Sequence, residues 1–211
     1  MLGIVSMRQP VSQRQKATAL LASNGMARLA ELRAAGITAA TMSRMERDGD
    51  VVRLDRGLYQ LSGALLEANH NFAEAAKIVP KGVVCLVSAL AFHQLTDQIP
   101  RQVWLAIGQR DWSPQAARPG LKIVRFADRL LADSVETHTI ERVTVRVFGV
   151  AKTIADCFRH RRTVGIAIAI EGLQQALRQH KATPAEITRQ AERGDVSTVI
   201  KPYLEALTAN G

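Results

Sequence analysis

One continuous stretch, GITAATMSRMERDGDVVRLDRGLYQL at residues 36–61, constrains the fold more than any other part of the chain. Thr38 is a suitable N-cap residue, and the run that follows predicts a helix to about Asp48. The β-branched residues of 51–54 predict a short strand, and 58–61 predicts a second strand across a turn that contains a glycine. The stretch therefore predicts one helix followed by a β-hairpin.

Two further helices are predicted before this stretch. Residues 13–23 are rich in Ala, Leu, Lys and Gln, which favour a helix, and an Asn-Gly pair then ends the run. Residues 27–35 predict a second helix, because Leu29 and Leu32 share one helical face. The order helix, helix, turn, helix and hairpin predicts a winged helix-turn-helix domain over residues 1–64.

The rest of the chain, residues 65–211, predicts a small mixed α/β domain with a helical C-terminal tail, so the predicted fold class is α+β. Strict alternation in its last strand puts Val143, Val145 and Val147 on one face. The apolar run GIAIAIEGL fits a buried strand as well as a helix. We predict helices at 71–79, 88–95 (with Ser88 as N-cap), 150–161, 164–180, 184–193 and 197–208, and strands at 83–87, 103–107, 121–126, 137–140 and 143–148.

The chain carries an excess of positive charge. Its 211 residues include 28 Lys and Arg against 19 Asp and Glu, a formal net charge of +9. An excess of positive charge favours an anionic partner, and nucleic acid is the commonest one. Many small proteins, however, are basic without binding nucleic acid. With 47 % hydrophobic residues the composition is that of a globular protein.

Composition and spacing argue against several other classes of protein. Cys85 and Cys157 lie in the apolar runs VVCLV and IADCF, so we expect core residues rather than a zinc site or a disulfide framework. No apolar run reaches the ~20 residues that a membrane span needs, and residues 1–16 lack the apolar region of a secretory signal. We therefore expect a cytoplasmic protein with no metal or other cofactor.

The predicted helix at 38–48 is the main candidate for contact with DNA. In a helix-turn-helix, the second helix of the pair enters the major groove. Arg44 suits a bidentate bond to guanine, while Met42 and Met45 would anchor the opposite face. The candidate DNA-binding residues on this helix, the hairpin and the first helix are Thr38, Thr41, Ser43, Arg44, Arg47, Arg53, Arg56, Arg14 and Lys16. Alternatively, such a domain is a protein-interaction module, and its arginines are a solvated face.

A second basic run follows much later in the chain. Arg159, Arg161 and Arg162, with Lys181 beyond them, make the second domain basic as well. Cations at the end of a helix offset its dipole, which is one interpretation of the run. The other is an extended DNA footprint, or a surface for an acidic partner or RNA.

The sequence offers little support for an enzyme. Ser88 and His93 lie five residues apart, so they do not share a helical face. Lys152 and Asp156 lie four apart and can pair, which we interpret as a structural or interface pair. A metal nuclease needs clustered carboxylates, and its usual Asp-x-Lys or Glu-x-Lys phrase does not occur in this chain.

Three stretches resemble a known family. GITAATMSRMERDGDVVRLDRGLYQL resembles the N-terminal winged-helix domain of the AbiEi antitoxins, whose Arg-Gly-Leu-Tyr phrase stands here at 56–59. VVCLVSALAFHQLTDQIP and VRVFGVAKTIADCFRHRRTVG resemble later parts of the family, the second with Lys152, Thr153 and Asp156 in place. The resemblance covers roughly residues 14–180.

The resemblance implies an antitoxin of a type IV toxin–antitoxin system linked to abortive phage infection. Such proteins bind double-stranded DNA at the promoter of their own operon and repress it. Their functional partner is a toxin that resembles a nucleotidyltransferase, and its neutralisation does not obviously require a stable complex. The C-terminal domain is associated with antitoxin activity, and self-association on repeated operator sites is also open. A stand-alone transcriptional regulator without a cognate toxin is the alternative.

Overall fold

The computed structural model describes residues 11–111 and 120–209, which divide into two units. Unit 1 comprises residues 11–68 together with Glu141–Val143, which includes the first residue of the strand at 143–148, and unit 2 comprises the other described residues. The chain is α+β, with a three-stranded sheet and a five-stranded sheet among the described residues.

Three helices and three strands build the described part of unit 1, residues 11–68. They are α1 (Gln13–Asn24), β1 (Met26–Arg28), α2 (Leu29–Ala34), α3 (Ala39–Arg47), β2 (Val51–Asp55) and β3 (Leu58–Leu61). The strands are antiparallel in the order β1-β3-β2. The predicted helical start at 27–28 is wrong, because Ala27 pairs with Tyr59 and Arg28 with Leu58 in the sheet. This pairing joins residues far apart in the chain, which local helix propensity does not register.

The core of unit 1 lies between its helices and its sheet. Both methionines of α3 are buried there, as predicted from their helical spacing, and Tyr59 packs the hairpin against them. Burying one methionine side chain stabilises the folded state by about 1.5–3 kcal/mol. The buried residues of this core are Ala17, Leu21, Ala27, Leu32, Ile37, Met42, Met45, Val51 and Tyr59.

The turn between β2 and β3 is fixed at two points. Gly57 has a φ of +68°, a conformation that costs glycine little because it has no Cβ. Its carbonyl accepts a hydrogen bond from the Leu29 amide at 2.7 Å, at the start of α2. An irregularity in the register between Arg53 and Asp55 adds a local bend to β2. The tip of the hairpin is therefore tied to the first turn of α2.

Unit 2 consists of a mixed sheet and a set of helices. Its elements are α4 (His70–Ile78), β4 (Val83–Val84), α5 (Leu86–Phe92), β5 (Val103–Gly108), β6 (Leu121–Phe126), α6 (Asp128–Leu131), β7 (Val135–Ile140), β8 (Val143–Phe148), α7 (Val150–Arg159), α8 (Arg161–Val164), α9 (Ile166–Arg178), α10 (Pro184–Arg193) and α11 (Ser197–Thr208). The strand order is β6-β5-β4-β8-β7. β4 runs antiparallel to β5 and parallel to β8, and β5 runs parallel to β6.

Most of the predicted elements of unit 2 are present. Val143, Val145 and Val147 are buried on one face of β8, as the alternation predicted. The ambiguous run GIAIAIEGL is helical and begins α9. Cys85 and Cys157 are both buried and unbridged, which confirms their prediction as core residues.

The prediction around Ser88 is wrong. The strand there spans only Val83–Val84, and α5 begins at Leu86 after Cys85 as its N-cap. Ser88 is buried inside α5, where its Oγ accepts a hydrogen bond from the Trp104 amide at 2.9 Å. Its hydroxyl therefore binds the backbone at the start of β5 and does not cap α5.

The helix predicted at 150–161 is also shorter than expected. It ends at Arg159 as α7, and α8 starts separately at Arg161.

Within the described parts of the chain, no helix combines the length and the apolar character that crossing a membrane requires. The same residues contain no group of three or more His, Cys, Asp or Glu side chains placed to hold a metal ion.

Candidate nucleic-acid interface

Helix α3 presents two different faces. Met42 and Met45 are buried in the core of unit 1. Ser43, Arg44 and Arg47 are exposed on the other side, and residues three or four apart on a helix are neighbours on its surface. The helix therefore carries a continuous polar stripe with two guanidinium groups, backed by an apolar anchor.

The N-terminal end of α3 is closed by hydroxyl groups and by one side chain of α1. The Thr41 amide donates to Thr38 Oγ1 at 3.2 Å, which makes Thr38 the N-cap residue that the sequence predicted. Gln13 Oε1 accepts hydrogen bonds from the Thr38 amide at 3.1 Å, from Thr38 Oγ1 at 3.1 Å and from Thr41 Oγ1 at 2.7 Å. Both predicted threonines thus use their hydroxyls in hydrogen bonds within unit 1; Thr38 is exposed, whereas Thr41 is only 7 % exposed.

The C-terminal end of α3 is bound by an arginine of α1. Arg14 Nη1 lies 2.9 Å from Asp48 Oδ2, and Arg14 Nη2 pairs with Asp50. The hydrogen bond to Asp48, with the charge of Asp50, raises the pKa of Arg14. Arg14, predicted as a phosphate ligand, therefore holds two carboxylates of its own unit.

The hairpin adds two more exposed arginines. Arg53 Nε donates to the Asp55 carbonyl at 3.2 Å. The Arg56 amide donates to Asp55 Oδ1 at 2.6 Å, so the carboxylate of Asp55 orders the turn that carries Arg56. The guanidinium of Arg28 donates to the Arg56 carbonyl at 3.4 Å, which places a third arginine beside the same turn.

The structure therefore sorts the predicted residues into two groups. Six of the predicted residues are exposed and take no part in the contacts between α1 and α3; they are Ser43, Arg44, Arg47, Arg53, Arg56 and Lys16. Thr38 and Arg14 are exposed as well, but together with the buried Thr41 they form the contacts between α1 and α3. Gln13 and Arg28 were not predicted, because their roles depend on pairings 25 or more residues away along the chain. A glutamine opposite an N-cap threonine leaves no local signal in the sequence.

The second basic run lies around the end of α7. Arg159 Nη1 donates to the Gly194 carbonyl at 3.1 Å, and Arg161 Nη1 donates to the Phe158 carbonyl at 3.1 Å. Arg162 is exposed, and Lys181 Nζ donates to the His93 carbonyl at 2.6 Å. Most of these cations thus bind backbone carbonyls, which suits the interpretation as a helix end better than a continuous ligand surface.

Part of the chain matches a known protein family. Residues 15–62, which include α3 and the whole hairpin, match the family described as "Transcriptional regulator, AbiEi antitoxin". The resemblance drawn from GITAATMSRMERDGDVVRLDRGLYQL is thereby confirmed for these residues, and it supports a regulatory antitoxin role.

A solved structure has a similar fold over nearly the whole chain. The crystal structure of the RV2827C protein from Mycobacterium tuberculosis aligns with a TM-score of 0.57 at 12 % identity, covering 99 % of this chain and 85 % of that one. At this low sequence identity, the similarity shows a common fold only. No curated protein matches the sequence.

Proposed function

We propose that this protein is a DNA-binding transcriptional repressor of the AbiEi antitoxin type and that unit 1 is a winged helix-turn-helix domain. In this assignment α2 and α3 are the helix-turn-helix pair, and β2 and β3 form the wing. The order of the elements supports the assignment, since a short turn joins α2 to α3 and the hairpin follows directly.

The observation that carries the proposal is the polar stripe of α3. Ser43, Arg44 and Arg47 are exposed on the helix that would enter the major groove, and two buried methionines fix the opposite face. Arginine is the residue that most often reads guanine, through two parallel hydrogen bonds to its major-groove edge. The stripe lies within the 15–62 segment that matches the family of regulators.

The wing and α1 supply contacts with the DNA backbone in this proposal. Arg53 and Arg56 are exposed on the hairpin, and Arg56 sits at its tip. Lys16 is exposed on α1. Contacts of this kind position a protein on the duplex and add affinity that depends on salt, but they carry little sequence information.

The biological role follows from the family. The protein binds the promoter of its own operon in the cytoplasm and represses it, as part of a type IV toxin–antitoxin system. Its functional partner is a toxin that resembles a nucleotidyltransferase, and unit 2 carries the antitoxin activity. Self-association on repeated operator sites is part of the same proposal.

A promoter–reporter assay tests this role directly. The DNA upstream of the gene is fused to a reporter, and the protein is expressed from a second plasmid. We expect wild-type protein to lower reporter output and the Arg44→Ala/Arg47→Ala variant to restore it.

A matched control removes two positive charges outside unit 1 by replacing exposed arginines of α9 and α10, Arg178→Ala/Arg189→Ala. This control should repress like the wild type. Reporter output that is equal with and without the protein would reject the proposed repressor and favour the protein-interaction alternative.

A further inference from the structure

We infer that the first turn of α1 positions α3 for DNA reading, with Gln13 fixing the N-terminal end of α3 and Arg14 fixing the C-terminal end. The inference rests on the proposed function of unit 1. It makes these two residues positioning residues, which act through Ser43, Arg44 and Arg47 rather than by touching DNA themselves.

Gln13 makes all three of its hydrogen bonds to α3 and its N-cap through one atom. One oxygen, Oε1, lies 3.1 Å from the amide nitrogen of Thr38, 3.1 Å from its hydroxyl and 2.7 Å from the hydroxyl of Thr41. The Thr38 hydroxyl also caps α3 by accepting from the Thr41 amide. Gln13 thus binds the same two residues that define where α3 begins and in which direction it leaves the preceding turn.

The contact of Arg14 is made at the opposite end. Asp48 is the C-cap residue of α3, and Asp50 stands immediately before β2. The guanidinium uses a different nitrogen for each carboxylate, Nη1 for Asp48 and Nη2 for Asp50. The planar fork of an arginine makes such a pair directional.

The two neighbouring residues therefore span α3. A helix of nine residues is about 13 Å long, and adjacent side chains of α1 contact its two ends. Groups that read a ligand must be held to about 0.5 Å to be effective. Loss of either contact should let α3 shift over its methionine anchor, which weakens base reading more than contact with phosphates.

Thr41 provides a sharp test of the N-terminal contact, because its side chain is nearly buried and its hydroxyl serves Gln13. Thr41→Val keeps the shape and removes the donor, whereas Thr41→Ser keeps the donor. Two quantities are measured for each variant and for Gln13→Ala. They are amide hydrogen exchange of the peptide covering α3, and the ratio of affinities for the upstream duplex and a scrambled duplex.

We expect Thr41→Val and Gln13→Ala to speed exchange in α3 and to lower the affinity ratio about tenfold, which is the order of one lost base contact. Affinity for the scrambled duplex should stay unchanged, and Thr41→Ser should behave like the wild type. A purely structural defect would instead lower both affinities together. Unchanged exchange in α3 would overturn the inference whatever the DNA result.

Salt dependence tests the contact of Arg14. If Arg14 positions α3, Arg14→Gln lowers the affinity for the upstream duplex and leaves the slope of log affinity against log salt concentration unchanged. If Arg14 binds a phosphate in the complex, the slope becomes shallower by about 0.9, and the positioning role at that end is overturned.

Failure of the proposed function and failure of the positioning role give different experimental results. A wild-type protein that does not distinguish the two duplexes overturns the proposed function, and the positioning role falls with it. A selective wild type together with equally selective Gln13→Ala and Thr41→Val variants leaves the function standing and overturns the inference alone.

Discussion

Lys152 Nζ lies 2.9 Å from Asp156 Oδ2 inside unit 2, and the two side chains are only 3 % and 2 % exposed. Both residues belong to α7, one turn apart, so the helix itself sets their separation. Burial raises the pKa of the Asp156 carboxyl, and the charge of Lys152 opposes that shift. The ammonium also lies 4.4 Å from the centre of the Phe148 ring, within reach of a cation–π contact.

The first prediction concerns the stability of this pair. Lys152→Met and Asp156→Leu should each lower the free energy of unfolding by about 3–5 kcal/mol, because each leaves one buried charge without its partner. The double variant should recover most of that loss, since two apolar side chains of similar size carry no charge to desolvate. Urea unfolding of the three variants measures this. Additive losses in the double variant would show that the two charges do not depend on each other.

The second prediction concerns pH. Burial lowers the pKa of His93 and of His160. Neutral imidazole is therefore favoured in the folded state, so its contribution to stability is present above the usual histidine pKa and is lost as the pH falls through the lowered value. We expect the melting temperature to fall as the pH drops below the ordinary histidine pKa of about 6.5. The same decline should be smaller in a His93→Gln/His160→Gln variant.

Carboxylates provide the internal control for that experiment. Asp111 and Glu186 have a lowered pKa, Asp111 chiefly through the hydrogen bond from Lys81 and Glu186 chiefly through the hydrogen bond from the Thr183 amide. Their contribution is present above the ordinary carboxyl pKa and is lost only at lower pH. A melting temperature that stays constant from pH 7 to pH 5 in the wild type would contradict the histidine prediction.

The third prediction follows from the buried hydroxyl of Ser88. Ser88→Ala removes the acceptor of the Trp104 amide and leaves a buried N–H without that partner. The expected loss is about 1–3 kcal/mol in the free energy of unfolding, measured by chemical denaturation. Thr198→Ala on the exposed surface of α11 is the control and should change stability by less than about 0.5 kcal/mol. Equal stability of both variants would show that water replaces the serine oxygen.

The fourth prediction concerns base reading by α3. Arg44→Ala and Arg47→Ala should each cost about 1–3 kcal/mol in specific binding if the arginine is bidentate to a base. The effect should be concentrated in the affinity for the upstream duplex. Arg178→Ala is the charge-matched control. A double variant that binds the upstream duplex as tightly as the wild type would exclude α3 as the reading helix.

The fifth prediction concerns the β2–β3 hairpin, the proposed wing. Arg56→Ala should weaken binding to every duplex by a similar factor, because a backbone contact carries little sequence information. The slope of log affinity against log salt should become shallower by about 0.9. Titrations of two unrelated duplexes over a salt series measure both quantities. Selective loss for the upstream duplex would instead make Arg56 a base-reading residue.

The sequence predicted those elements whose signal is local. The N-cap at Thr38, the methionine spacing of α3 and the strands of the hairpin all depend on residues within a few positions of one another, and the structure contains all of them. Strand β1 could not be found this way, because Ala27 is extended only through its pairing with Tyr59. Sheet pairing across 32 positions leaves no trace in local propensity.

The residues of the candidate site likewise divide into those with a local sequence signal and those without one. Exposure of Arg44 and Arg47 follows from helical periodicity, so it was predictable. The partners of Arg14 were not, since Asp48 and Asp50 approach it only once α1 and α3 have packed. The arginine that the sequence predicted as a phosphate ligand is therefore engaged with carboxylates in the folded unit.

The most direct test of the central claim is fluorescence anisotropy with the DNA upstream of this protein's own gene and a scrambled duplex, each at two salt concentrations. We expect tight binding to the upstream duplex, weaker binding to the scrambled one, and a steep loss of affinity with salt as phosphate counterions are released. Weak binding that is the same for both duplexes would contradict it, and unit 1 would then be a surface for a protein partner.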